Sequence, residues 1–416
     1  MIKKIYLPVL GYFLIVAAVY AGEIKFSADG PDLQGVIDAA QPYSIVICER
    51  NKPLTLSEPV IIRKPLTIRG INARLPEKLG KTSLLVIAAE GVTISDFELH
   101  GNYDTVPQTE RAPLISISAG EFAIERGLFV NSSKDGIEVT ARGGEDADIV
   151  GGVVRDIVGK GIGRDVVSIS GGDLGQQIRN VLVENIRCYK SYYRGAVEVS
   201  DGSDNITVRK VYAEDSLYAI DVQDHGKPKQ VNTNVVVQDV YAVRCKHAIR
   251  TANRPHGHAN LTIRDVIAKE CNAPIRISHT DGVILQNVRI FDHSDDNTPI
   301  SVKNCVSVSI RDIALSNIAH NGEAILLQDC DETLIDGIAL RDNTSTLASA
   351  ILFRITSDRM FSGLRITNVL APAAQMAGII LESQKGTLKD YVILGNLARV
   401  KDGIQGQGAI IAKNMP

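Results

Sequence analysis

The feature that most restricts how this chain can fold is a short pattern returning every 22 to 31 residues, a small residue followed by alternating apolar and polar positions. It appears as Leu114-Ile115-Ser116-Ile117-Ser118, Gly136-Ile137-Glu138-Val139-Thr140, Ala196-Val197-Glu198-Val199-Ser200, Ala219-Ile220-Asp221-Val222-Gln223 and Ala248-Ile249-Arg250-Thr251-Ala252, and continues to Ala409-Ile410-Ile411. Alternation with period two sends successive side chains to opposite faces of a strand, so each repeat supplies a short strand with its apolar side inward. A second strand returns in most repeats, as in Asn205-Ile206-Thr207-Val208-Arg209 and Asn260-Leu261-Thr262-Ile263-Arg264. Leucine-rich repeats share the period but need a regular Leu skeleton that is missing here, and helical repeats would show a 3.6-residue period. The prediction is an all-β chain, a single-stranded right-handed parallel β-helix whose core lengthens without thickening. With no Trp and 5% aromatic residues, stacked Ile, Val and Leu must fill that core.

The ends suggest a compartment. Residues 1–21 carry Lys3 and Lys4, an apolar stretch from Ile5 to Val19 and small residues before Gly22, the layout of a cleavable signal peptide. The expectation is a secreted or periplasmic protein, residues 22–416 forming one β-helix domain with no stable membrane insertion. Pro31 to Ala40 reads as a short amphipathic helix, with Leu33, Val36 and Ile37 on one side, that would cap the first coil. In this architecture and its N-terminal cap the chain resembles the pectin-lyase-like superfamily of right-handed parallel β-helices over nearly all of its mature length. The resemblance implies carbohydrate-active chemistry but brings no family-specific catalytic motif. A net charge of -3 and a pI near 6.3 argue against nucleic acid as a partner.

Six cysteines in a secreted chain raise the question of disulfides. Cys188, Cys245 and Cys271 read as one repeat position and Cys305 and Cys330 as another, which suggests internal ladders of buried thiols. No C-x-x-C occurs, so zinc is poorly supported.

The third residue of each aligned strand points outward. Through successive coils it reads Ser116, Glu138, Ser168, Glu198, Asp221, Arg250, Arg276 and Ser301, then Leu326, Leu352 and Ile380. Coils stack about 4.8 Å apart, so Glu198 should lie on Asp221, and Arg250 on Arg276. Like charges on neighbouring strands are destabilising, which suggests compensation by a ligand or ion. Long repeats fall in the same region, with His225 and Lys227 after the Asp221 strand and Arg254, His256 and His258 after the Arg250 strand. The apolar outward positions further on imply a cover, from the C-terminal segment or a partner subunit.

A strip of this kind suits an acidic polysaccharide. Elimination next to a uronate carboxylate needs a base and a cation that neutralises the carboxylate. Arg250, Lys227 and His225 are the candidate bases, with Asp221 and Glu198 beside them. Glu198, Asp221 and Glu138 are the candidate ligands of a Ca²⁺ ion. Arg276, Arg254, His256, His258, Tyr193 and Arg194 are the candidate substrate contacts, the tyrosine by stacking on sugar rings. Superfamily lyases resemble this outline, with acidic calcium ligands and a basic Lys or Arg on neighbouring coils. On this reading Arg250→Ala ends turnover and leaves the melting temperature nearly unchanged. A glycoside hydrolase is the main alternative, with Glu198 and Asp221, or Glu138 and Glu198, as its carboxylate pair. The polygalacturonase pattern is not met, since Asp295-Asp296 lies in a loop and His256-Gly257-His258 replaces Gly-His-Gly. A non-catalytic glycan-binding or adhesin scaffold is the third possibility.

Overall fold

The computed structural model describes residues 22–27, 32–49, 52–141, 148–226, 231–252, 257–341, 347–371, 378–404 and 410–412. The proposed signal segment, and Lys227, Arg254 and His256, lie outside them. The described residues form a parallel β-solenoid whose strands run in a 14-stranded and an 18-stranded sheet, with a two-stranded ribbon toward the C-terminal end. Among the described residues no helix is long and apolar enough to cross a membrane.

The register inferred from the repeat is the one observed. In the 14-stranded sheet Glu138 pairs with Ser168, Ser168 with Glu198, Glu198 with Asp221, Asp221 with Arg250, Arg250 with Arg276 and Arg276 with Ser301. The inward neighbours Ile137, Val167, Val197, Ile220, Ile249, Ile275 and Ile300 stack in the same register and are wholly buried. Branched aliphatic side chains suit such a column because they pack well on a pleated surface.

The second strand of each coil is longer than expected, up to 14 residues, as in Ile149–Ile162 and Ile178–Ser191. It bends where Asn or Asp adopts positive φ. Asn185 at 53° donates to Asp156 Oδ1 at 2.6 Å, and Asn205, also at 53°, donates to Asn180 Oδ1 at 2.7 Å. These residue types tolerate the left-handed region because a short polar side chain bonds locally, so a polar column turns each corner of the coil.

Near the N-terminal end a single helix spans Leu33–Ala39, with Asp32 at its N-cap and Leu33 and Ile37 buried. The 14-stranded sheet ends in strand Val60–Ile62, which would leave backbone groups open. Gln34 fills part of that gap. Its side-chain oxygen accepts from Ile61 N at 2.7 Å and its amide donates to Ile61 O at 3.1 Å.

All six cysteines are free and buried. Cys245 and Cys271 share a column, as do Cys305 and Cys330, but Cys188 does not join the first pair. It aligns with Ala213, which aligns with Ala242, three residues before Cys245. The position equivalent to Cys245 one coil earlier is Ser216, whose hydroxyl lies 3.6 Å from Cys188 Sγ. Leu326 and Leu352 are buried by the chain itself, so their cover needs no partner subunit.

Candidate functional site

The outward charged column exists, but much of it is covered. Glu138 is 7% exposed, Glu198 1% and Asp221 0%. The cover is built from the turns at either end of the short strands, and the basic side chains on those turns fold back over the acids.

Three of these turns carry a cation four residues before the outward position. Lys134 meets Glu138, Arg194 meets Glu198, and Arg164 reaches across to Glu198 Oε2 at 3.2 Å. The next residue along is Asp135 in one coil and Asp165 in the following one, and both are wholly buried. Asp135 Oδ1 accepts from Asp165 N at 3.0 Å, and Asp165 Oδ1 accepts from Gly195 N at 3.2 Å. Tyr218, also buried, donates to Asp165 Oδ1 at 2.8 Å by passing over Gly195. That position has to be glycine, because a Cβ there would lie 1.9 Å from the Tyr218 carbonyl oxygen.

Burial, reinforced by the charges of Glu198 and Asp135, holds the Asp165 carboxyl well above its usual range. Burial also raises Asp135, against the opposing pull of Arg164 and Lys134. Glu198 goes the other way. Burial would raise it, but Arg194 and Arg164 together outweigh that cost and leave it ionised below the usual carboxylate range.

Over this network lies a cavity of about 640 Å³. Its floor combines Glu138, Ser168 and Glu198 with the next outward column, Thr140, Ser170 and Ser200. Arg164 and Arg194 form one wall, while Gly171, Gly172, Asp201 and His225 contribute to the other. His225 Nδ1 lies 2.7 Å from Asp201 Oδ2, and Asp201 Oδ1 accepts from His225 N at 3.0 Å. The Ser170 hydroxyl donates to the same Oδ2 at 3.0 Å. Burial would raise Asp201, yet the ring and backbone N–H of His225 bring it below the usual range. His225 Nε2 is left facing the cavity side, 3.9 Å from Glu198 Oε1. With its amide nitrogen toward the acids, Gln223 donates to Glu198 Oε1 at 3.2 Å and Asp221 Oδ2 at 3.1 Å, and its oxygen lies 2.9 Å from His225 Nε2.

A second cavity of about 370 Å³ shares Arg164 and Arg194 with the first and adds Gln108, Arg111, Lys134 and Tyr193. Tyr103 stacks on Tyr192 with ring centroids 4.0 Å apart, and the Arg111 guanidinium lies over Tyr103 at 4.1 Å and Tyr193 at 5.2 Å. The two cavities have Arg164 and Arg194 as a common wall, and the second adds an aromatic and basic edge.

The structure brings together Glu138, Glu198, Arg194, Tyr193 and His225, and sets other candidates apart. Asp221 is committed to Arg250, whose Nε donates to Asp221 Oδ1 at 3.0 Å and whose guanidinium lies 5.0 Å from the centre of the Tyr218 ring. Burial pushes Asp221 up to about 6, which leaves it ionised at neutral pH. Burial would lower Arg250, but the hydrogen bond and charge of Asp221 prevail and raise it, which removes Arg250 as a base. His258 is not at the surface. It is 4% exposed beside Asn232, and burial pushes its pKa down to about 4, so it is no substrate contact. The calcium ligands do not converge, and among the described residues no three acidic, His or Cys groups are placed to hold a metal. Glu138, Glu198 and Asp221 each already carry a basic partner, so the set does not fit a calcium ion.

Arg164, Asp201, Tyr103 and Arg111 escape a reading based on the outward column, since all four sit on turns. The recurrence Lys134-Asp135, Arg164-Asp165 and Arg194-Gly195 at fixed distance from the column was the available signal.

No family profile matches the chain, and no curated protein matches it in sequence. Solved structures do resemble it. The N-terminal fragment of gene product 12 of bacteriophage Phi29 superposes with a TM-score of 0.52 at 12% identity, covering 87% of this chain and 79% of that one. A variant of the catalytic domain of a GH87 α-1,3-glucanase bound to nigerose gives 0.51 at 10% identity, covering 94% and 68%. The A-module of a mannuronan C-5 epimerase from Azotobacter vinelandii gives 0.48 at 12% identity, covering 90% and 91%. At this level of identity the likeness is one of fold alone, that of a parallel β-solenoid.

Proposed function

We propose that this chain is an enzyme acting on an acidic polysaccharide, and that the groove over Glu138, Ser168 and Glu198 is where it acts. The observation carrying this reading is that one cavity wall presents two arginines, Arg164 and Arg194, while the other presents an imidazole held by a carboxylate, His225 on Asp201. The arginines suit a uronate carboxylate, which accepts paired hydrogen bonds from guanidinium. The aromatic rim at Tyr103 and Tyr193 suits a sugar ring. A GH87 α-1,3-glucanase among the solved structures of this fold supports a polysaccharide as the ligand, and the acidic character is inferred from the arginines alone.

β-Elimination is the reaction we favour. As the base, His225 keeps its proton on Nδ1 toward Asp201 and turns Nε2 away from the Gln223 oxygen; Nε2 then takes the proton from the carbon next to the carboxylate, and the carbon–hydrogen electron pair becomes a carbon–carbon double bond. The glycosidic carbon–oxygen bond breaks, the departing oxygen keeps its electron pair and takes a proton from water, and the hydroxide so formed is neutralised when His225 releases its proton to solvent. Arg164 and Arg194 stabilise the charge that develops on the carboxylate. The proton gained by His225 finds Gln223 on one nitrogen and Asp201 on the other. Hydrolysis would need a protonated carboxyl in the groove. Of the acids that line it, Glu198 and Asp201 are held low, which favours elimination over hydrolysis at that pair.

The test is incubation with a panel of uronate polysaccharides, following both the ultraviolet absorbance of unsaturated ends and new reducing ends. Absorbance rising in step with reducing ends is expected. Reducing ends without absorbance would transfer the groove to a hydrolase, and neither signal on any member would favour a binding scaffold.

A further inference from the structure

Further along the same sheet face lies a third cavity, of about 310 Å³, lined by Lys246, His247, Arg250, Thr251, Arg276, Ile277, Ser278, Asn297, Ser301 and Lys303. Four of these residues are cations and none is an acid. Asp221 neutralises Arg250 from beneath, but among the described residues Lys246, Arg276 and Lys303 form no ion pair with a carboxylate. Arg276 pairs with Arg250 in register on the next strand, a placement that costs stability when both charges stand alone. The arginine is nevertheless oriented: its guanidinium donates to Asn297 Oδ1 at 2.9 Å, and the side-chain amide of Asn297 donates in turn to Asp295 Oδ1, which also accepts from Asn297 N at 2.9 Å. The nearby acid is thus used to aim Asn297. His247 adds no charge. Its Nδ1 lies 2.7 Å from the Ala273 carbonyl oxygen, and burial among these cations pushes its pKa down to about 4.

We propose that this cavity is a second anion subsite, which takes a carboxylate or sulfate group borne by the same glycan chain that occupies the first groove. A fixed, aimed guanidinium with two lysines and no acid facing it is complementary to an oxyanion. Its strand lies three coils beyond that of Glu198, a separation of about 14 Å at the spacing of parallel strands. Between the two sites stands Asp221, wholly buried, with its partner Arg250 lining the second. The inference extends the proposed function by defining the substrate: a polymer with acidic groups on well-separated residues, bound along the solenoid axis.

The test has two arms. In the first, sodium sulfate is titrated against thermal unfolding of the intact protein, with sodium chloride at matched ionic strength as control. The wild type should be stabilised by sulfate beyond chloride, and Arg276→Gln/Lys303→Gln should lose that increment. No increment in the wild type, or its survival in the double variant, overturns the anion site, and neither result depends on any glycan being a substrate. In the second, Kd is measured calorimetrically for a length series of oligogalacturonates and oligoalginates on the His225→Gln background, so that nothing is consumed. Oligomers long enough to bridge both cavities should bind about tenfold more weakly when Arg276 and Lys303 are replaced, and shorter ones should be unaffected. Equal loss at all lengths, or none at any, overturns the shared-chain assignment. An intact sulfate response without binding of any oligomer would place the failure in the polysaccharide reading instead.

Discussion

Both Arg250 and His225 read as candidate bases in the sequence, and their surroundings now separate them. Replacing His225 by Gln should lower kcat at least a hundredfold, the usual scale of a lost general base, with a smaller loss for Asp201→Asn, which keeps the ring but weakens its orientation. Steady-state kinetics on the best polyuronate, with circular dichroism to check folding, decides this. Arg250→Ala should do the reverse of what the bare column suggests. It leaves Asp221 buried and without its guanidinium, so we expect a stability loss of about 3–5 kcal/mol in denaturant unfolding. A variant as stable as the wild type would contradict the buried pair. His258 supplies a pH prediction. Its folded pKa of about 4 lies below the unfolded value of 6.5, so below pH 6.5 the unfolded chain gains a proton that the folded chain refuses. The stability it supports is complete above pH 6.5 and is lost as pH falls toward 4. Between pH 7 and pH 5 the wild type should lose about 2 kcal/mol more than His258→Asn, measured as the change in unfolding free energy at the two pH values.

At the level of elements, the short strands were legible because their signal is local. A small residue, an inward aliphatic and an outward polar residue repeat within five positions, and the observed register from Glu138 to Ser301 follows from aligning them. The turns were not legible, because their partners lie a coil away. Arg164 finds Glu198 and Tyr218 finds Asp165 across 34 and 53 residues, distances fixed by turn geometry that no short window contains. The misplacement of Cys188 has the same origin: matching on residue type ignored that the column it occupies holds alanine in the next coils. The element most sensitive to such packing is strand Gly195–Ser200. Gly195→Ala should destabilise by more than the 1–3 kcal/mol typical of overpacking, since it collides with backbone. It should also lower activity by displacing Arg194 and Glu198. Unfolding and kinetics on that variant should move together, and a neutral result would place Tyr218 elsewhere.

For the molecule as a whole, the net charge of -3 conceals a segregation along the solenoid. Glu138 and Glu198 lie at the floor of the first groove, Arg111, Lys134, Arg164 and Arg194 lie along its edge, and the cavity around Arg276 carries four cations. A polyanion should therefore be attracted although the protein is itself anionic. The expected sign is a KM that rises steeply as sodium chloride is added from low to moderate concentration, with kcat nearly constant, because exposed attraction is screened over a Debye length of about 10 Å at 0.1 M. A KM indifferent to salt would argue for an uncharged ligand.

A backbone wound in identical steps also behaves as a ruler, graduated in units of one turn. Nothing intermediate is available: whole-turn insertion or deletion between Glu198 and Arg276 would alter their separation by one graduation, about 4.8 Å, while leaving each chemical cluster intact. Descendants of such a scaffold can thus retune which spacing of acidic groups they accept by gaining or losing a unit, with no redesign of the residues that do the chemistry.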